Sequence, residues 1–276
     1  MKWKVVSIWT FSASINAAYN RNTMLHVEHK SSDVASNFIT APMNYFIQGT
    51  SYNTLWAYRL SRVSHGYPII LDAEGNEMAV VDDEGNVTSV TNSYTLRETD
   101  ALVNMGTLTP VYNGSLSLNL KWKGLEANAL FIFSGGNKLR LDATPMDSYS
   151  INTTHILDRW TPSDAADARK VRLYTDIPTS TQEYASTFSQ WWSYSDEQVR
   201  RADYIKLRSV NLAYNLPDKL CKRLSLGATR FTFQVNNLFY WSAAGRDIDP
   251  EAYSLNSGTR TLQQPRTYSF SISTSF

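Results

Sequence analysis

Four histidines, one cysteine and 25 acidic side chains are the groups in this chain that could do chemistry, and their spacing offers little to catalysis. The histidines are His26, His29, His65 and His155. His26 and His29 flank Glu28, a spacing at which two imidazoles and a carboxylate can begin a metal clamp. A zinc centre needs further ligands, and none stands nearby, so the pair is read as incidental. Cys221 is alone, which excludes an internal disulfide and a cysteine metal site. Acidic residues recur in Asp72-Ala73-Glu74-Gly75-Asn76 and Asp82-Asp83-Glu84-Gly85-Asn86, but the calcium-loop pattern with its terminal glutamate is absent. No serine elbow, phosphate-cradling glycine loop or zinc-protease motif occurs. Any pair of carboxylates chosen for glycoside hydrolysis would be arbitrary, because many are available and none is singled out. The expectation is a protein that is not an enzyme, with no catalytic residue, no metal and no cofactor.

Aromatic side chains carry more information. Trp160, Trp191, Trp192 and Tyr194 fall in residues 137–202, a long stretch rich in Asp, Ser, Thr and Pro. Flat rings of this kind stack on sugars or fill a partner's pockets, and these four are the candidate substrate or partner contacts. The bland alternative is an anchoring belt of interfacial Trp and Tyr. Arg200 and Arg201, just before the next strand, read as edge charges. Across the chain 26 basic residues face 25 acidic ones, a balance that gives no footprint for nucleic acid. Aromatics make up 13% and charged residues only 18%, fewer than the roughly one quarter that solvates an ordinary surface. Mean hydropathy is −0.34, and no apolar run reaches the roughly 18–20 residues of a spanning helix. Alternating strands dilute their own hydropathy, so these values still admit a barrel.

The elements that would position such residues read as strands. Over residues 2–19, Trp3, Val5, Trp9, Phe11, Ala13, Ile15, Ala17 and Tyr19 share one parity, opposite Lys4, Thr10, Ser12, Ser14 and Asn16. Such a strand would run roughly 60 Å. The basic start is not followed by an apolar core and cleavage site, so no signal peptide is read, and either the chain is a piece of a longer one or a barrel reading is wrong. Residues 20–50 read as a loop and 52–60 alternate again, while the two glycine-acid turns predict a small hairpin excursion over 66–94. The clearest hairpin is 112–133, with Leu116, Leu118, Leu120 and Trp122 in phase, a turn at Gly124, then Ala127, Ala129, Phe131 and Phe133 in phase. Ile205 and Leu207 differ in parity from Val210 and Leu212, which predicts a bulge near Ser209. Residues 229–239 and 267–276 complete a set of about seven long strands, the last with a serine-rich face suited to a wet lumen.

The tail also resembles a known family. Ala202-Asp203-Tyr204-Ile205-Lys206-Leu207-Arg208-Ser209-Val210-Asn211-Leu212-Ala213-Tyr214-Asn215-Leu216-Pro217 is similar to a signature of SusC/RagA-type TonB-linked outer-membrane transporters. Phe233-Gln234-Val235-Asn236-Asn237-Leu238-Phe239-Tyr240-Trp241, Asp249-Pro250-Glu251 and Gln264-Pro265-Arg266-Thr267-Tyr268 follow in order. Upstream, residues 109–136 and Asp158-Arg159-Trp160-Thr161-Pro162 look like the family's long hairpin and the loop after it. The resemblance implies an all-β fold, an antiparallel transmembrane β-barrel segment contributing about seven or eight strands of a barrel of about 22. Residues 1–276 would be its C-terminal part, residues 137–202 a long extracellular loop, and Phe276 the residue that serves barrel assembly. It further implies the cell outer membrane as location and oligosaccharides or peptides as imported substrates. The implied partners are a SusD-like surface lipoprotein, the remaining barrel and plug, and the TonB complex. The rival expectation, a soluble β-sandwich that binds carbohydrate, would need a dry face and shorter strands.

Overall fold

The computed structural model describes residues 9–28, 32, 34–92, 96, 99–149 and 154–275. Its largest element is one antiparallel sheet of six strands, in the order β1-β8-β9-β12-β13-β14. These are β1 (Thr10–Tyr19), β8 (Tyr112–Trp122), β9 (Leu125–Gly135), β12 (Tyr204–Asn215), β13 (Thr229–Ser242) and β14 (Thr267–Thr274). The predicted hairpin is present: Trp122 pairs with Leu125 across Lys123-Gly124, both of which have positive φ (45° and 84°). Two such residues match the twist of the flanking strands. The bulge is also where the parity change puts it, between Leu207 and Ser209 in the pairings of β12 with both neighbours.

Strict alternation sorts the sheet into two faces. Phe11, Leu120, Ala127, Leu212, Phe233 and Phe270 form one row across all six strands. The adjoining row on the other face reads Ser12, Asn119, Asn128, Asn211, Gln234 and Ser269. Asn128 Nδ2 donates to Asn119 Oδ1 within it. The apolar face covers no core: Phe11 is 64% exposed and Phe270 65%.

Several expectations fail here. The sheet holds six long strands rather than seven or eight, and it is open, because β1 and β14 lie at opposite edges and do not pair. An open sheet leaves two rows of backbone N–H and C=O groups without partners, which hydrocarbon does not tolerate. The identification of this chain as a transmembrane barrel region is therefore corrected, and its strands are not assigned as membrane-spanning. The sandwich fares no better, since no second sheet packs on the first among the described residues. Residues 1–8 and Phe276, with the role expected for it, lie outside the described residues.

The hydrophobic core lies elsewhere, in residues 35–108 and 137–202. Residues 52–60, expected as one more long strand, form two short ones, β2 (Thr54–Tyr58) and β3 (Leu60–Ser64). All of β2 is buried, so its alternation has no solvent face to report. β2 pairs with β7 (Leu102–Thr107), and β3 with β4 (Tyr67–Ile70). The predicted excursion contains β4 and the hairpin of β5 (Ala79–Val81) with β6 (Val87–Val90). Its glycine-acid turns are built by side chains: Asp72 accepts from the Asn76 amide at 2.7 Å and Asp82 from the Asn86 amide at 2.8 Å. The acidic runs are thus turn formers.

Residues 137–202 are packed rather than loose. They supply β10 (Lys138–Arg140), β11 (Val199–Arg201) and a helix (Ala185–Ser193) that buries Ala185, Phe188, Trp191 and Trp192. That spacing is one apolar stripe of a helix. The long connections 20–111, 136–203 and 243–266 all leave from one end of the sheet, and the short ones at 123–124 and 216–228 lie at the other.

Gly66 shows how tightly this body closes. It has φ of 81°, and a Cβ there would stand 2.6 Å from Arg172 Cγ and 3.0 Å from Trp160. Gly66→Ala should cost roughly 2–4 kcal/mol, combining left-handed strain with overpacking. Gly49→Ala, at a similar φ but with open space around it, isolates the strain alone. Equal urea midpoints for the two variants would show that the packing contributes nothing.

Candidate functional site

Three of the four aromatic candidates, Trp191, Trp192 and Tyr194, share one core, and Trp160 reaches it through Arg172. Trp160 is 4% exposed, and its indole N–H donates to the Ala165 carbonyl at 3.0 Å. The Arg172 guanidinium lies 4.1 Å from the Trp160 ring and 5.1 Å from that of Tyr67. Tyr67 packs on Phe188, and Phe188 meets Trp191 edge to face at 5.5 Å. Trp191 and Trp192 are buried, and only Tyr194 of the four is partly exposed. These rings shape the body from within, and what they can offer a ligand passes through the surface they support.

Tyr194 leads to a residue that pattern reading passed over. Arg140, at the end of β10, is fully buried with its guanidinium 4.8 Å from the Tyr194 ring. Its Nε donates to the Asn256 carbonyl and its Nη2 to the Trp56 carbonyl, each at 2.8 Å. No carboxylate pairs with it among the described residues. Burial pushes the guanidinium down to about 10, against the opposing pull of Tyr194 and Tyr58, so it remains a cation at neutral pH. It ties three segments together.

A second charged group joins the sheet to the connection 243–266. On the polar face of β12, Lys206 Nζ lies 2.5 Å from Asp249 and 2.6 Å from Glu251. The side chains of Lys206 and Asp249 are 8% and 7% exposed. Arg208 Nη2 donates to both Glu251 oxygens at 2.9 Å, and the Tyr204 hydroxyl donates to Glu251 at 3.0 Å. Burial and the Glu251 charge raise the Tyr204 phenol. Burial would raise the Glu251 carboxyl too, but Lys206, Tyr204 and Arg208 together hold it below the ordinary carboxylate range. Pro250 and Ala252 are buried beside it, and Asp249 caps this single turn by accepting from the Glu251 amide at 3.0 Å. Beside the cluster is a cavity of about 300 Å³ that reaches from Lys206 and Asp249 to Gln264 and Arg266.

A smaller node closes the same end of the sheet. Asp203 accepts from the Gly136 amide at 2.6 Å, the Tyr112 hydroxyl at 3.1 Å and Arg201 Nε at 2.7 Å. Arg201, read as an edge charge, is held there, whereas Arg200 donates to the Glu197 carbonyl. His26 is exposed, and His29 lies outside the described residues.

Fold and site define a class: an open antiparallel sheet bearing a packed body at one end, its charges holding connections to strands. No family model matches the chain. It is 22% identical over 263 residues to TonB-dependent receptor P3 of Formosa agariphila, covering 88% of this chain and 23% of that protein. Among solved structures it resembles the RagAB peptide transporter, with a TM-score of 0.62, 20% identity, and coverage of 100% of this chain and 28% of the other. A RagAB peptide importer in an open-open state gives 0.59 at 17% identity, covering 98% of this chain and 27% of that one. The chain thus spans about a quarter of the length of these relatives. Identities this low establish likeness of fold. The proteins it resembles are named as a TonB-dependent receptor and as a peptide transporter or importer.

Proposed function

We propose that the chain is part of an outer-membrane-associated TonB-dependent import complex whose cargo is peptide. The observation that carries this reading is the match of the whole chain to the RagAB peptide transporter fold. Peptide is favoured over oligosaccharide because the structural neighbours are peptide importers, and Trp160, Trp191 and Trp192, the tryptophans expected to stack on sugars, are buried. The protein acts by recognition and conformational change, without covalent chemistry. Its partner is a SusD-like surface lipoprotein, which the body 137–202 meets on the extracellular side. There Trp160, Trp191, Trp192 and Tyr194 hold the contacting surface in shape.

Deleting the gene that encodes the chain should lower uptake of fluorescent oligopeptides by the cells about tenfold or more, with recovery on complementation. Uptake of labelled oligosaccharides should be unchanged. A deletion strain that takes up peptides normally would end the reading, and one that loses only oligosaccharide uptake would reassign the cargo.

A further inference from the structure

β13 is longer than the strand beside it. It runs to Ser242, but its register with β14 stops at Asn236↔Thr267. On the other side β12 stays paired with it up to Ser242. Past the bulge at 237–238, residues 239–242 therefore have a strand neighbour on one side only. The chain passes this free edge as residues 262–266, yet among the described residues no backbone hydrogen bond joins the two. Side chains hold them apart at a fixed spacing: Asn237 Nδ2 donates to the Pro265 carbonyl at 3.1 Å, and Gln263 Nε2 to the Tyr240 hydroxyl at 3.2 Å. The intervening space is the cavity of about 300 Å³. Phe239 and Tyr240 both line it. Successive residues of a strand point to opposite faces, so a space that touches both lies along the edge of the strand.

Free strand edges are templates for another extended chain. Charge narrows the choice. Lys206 is neutralised by Asp249 and Glu251, but Arg266, exposed on the cavity wall, has no carboxylate partner among the described residues. The geometry points to a peptide-binding site in which a free oligopeptide adds itself as a strand to the edge at 239–242, with one of its carboxylates on Arg266. Main-chain pairing would supply sequence-tolerant affinity, and Arg266 would set the direction and favour acidic or free C-terminal ends. The amides of Gln263 and Gln264 line the remaining wall. This site deepens the peptide-import reading and rests on it.

The test titrates the full chain with a heptapeptide, Lys-Thr-Val-Thr-Val-Thr-Asp, labelled on its lysine and free at its C-terminus. Two further peptides carry N-methyl groups on alternate amides, one along each edge, and a fourth ends in asparagine amide. N-methylation of one edge should weaken binding about tenfold or more, as should the loss of both carboxylates. Arg266→Glu should weaken the free acid by a similar factor while leaving the amide peptide unaffected, and Arg266→Gln should fall between. Equal thermal unfolding of the variants excludes a folding defect. N-methylated peptides that bind within about twofold of the parent would overturn strand addition, and an unaffected Arg266→Glu would overturn the carboxylate contact. Absence of binding by the parent peptide would overturn the site, whereas the import reading would fall only if cells lacking the gene took up peptides normally.

Discussion

Lys206→Met should destabilise the folded chain by about 3–5 kcal/mol, because it leaves Asp249 buried without its cation. Lys206 and Asp249 are both nearly inaccessible to water, and Glu251 beside them also draws on the same ammonium. Methionine keeps most of the stem's packing, so the loss reports the charge rather than the volume. Changing Lys206 and Asp249 together to Met and Asn should recover a large part of it. A Lys206→Met chain whose urea midpoint matches the parent would show that the contact with Asp249 carries no energy. The cluster also has a pH signature. The Glu251 carboxyl is held low in the folded state, so its contribution is complete above the ordinary glutamate range and is lost as pH falls through its folded value. Glu251→Gln should flatten stability below about pH 4, where the parent declines.

Arg140→Ala is the second large effect, expected at roughly 3–5 kcal/mol from one buried and one part-buried carbonyl left without donors and the space left behind. The carbonyls are those of Trp56 and Asn256, and Tyr194 loses the cation on its ring. Arg140→Lys should fail nearly as badly, since one ammonium cannot reproduce the directed fork of a guanidinium. Arg140→Met should cost less than alanine, because it fills the space and removes a buried charge that no carboxylate offsets. Chemical denaturation of the three variants measures the order, and an alanine variant within about 1 kcal/mol of the parent would refute the role of the staple.

The long strands were legible because each has two unlike faces. Leu116, Leu118 and Leu120 alternate with Ser117 and Asn119 over a surface that packs no core, and the parity change around Ser209 marked its bulge. Closure was not legible, because alternation reports the faces of a sheet and says nothing about whether its edges meet. The body was hidden for a different reason. Thr54–Tyr58 is buried on both sides, so its alternation named no core face, and Trp191 sits in a helix within a long polar stretch that read as loop. Of the charged cluster, Lys206 and Arg208 could be placed on one face by parity, and Asp249-Pro250-Glu251 stood out by resemblance. Their meeting across more than forty residues of chain leaves no periodic trace. Arg140 gave no signal at all, since nothing local distinguishes a buried arginine from the exposed ones.

The position of β1 in the sheet sets an order of events in time. β8 and β9 are joined by two residues and can pair within microseconds, without waiting for any distant part of the chain. β1 instead pairs with β8, from Tyr19↔Tyr112 to Thr10↔Lys121, across the intervening residues 20–111. Loop-closure entropy opposes that contact until the body has gathered its ends, so β1 should dock late and detach first. During synthesis β1 emerges before β8 and stays without this neighbour until residues beyond 112 have been made. For that interval Phe11, Ile15 and Tyr19 form an exposed apolar segment open to self-association.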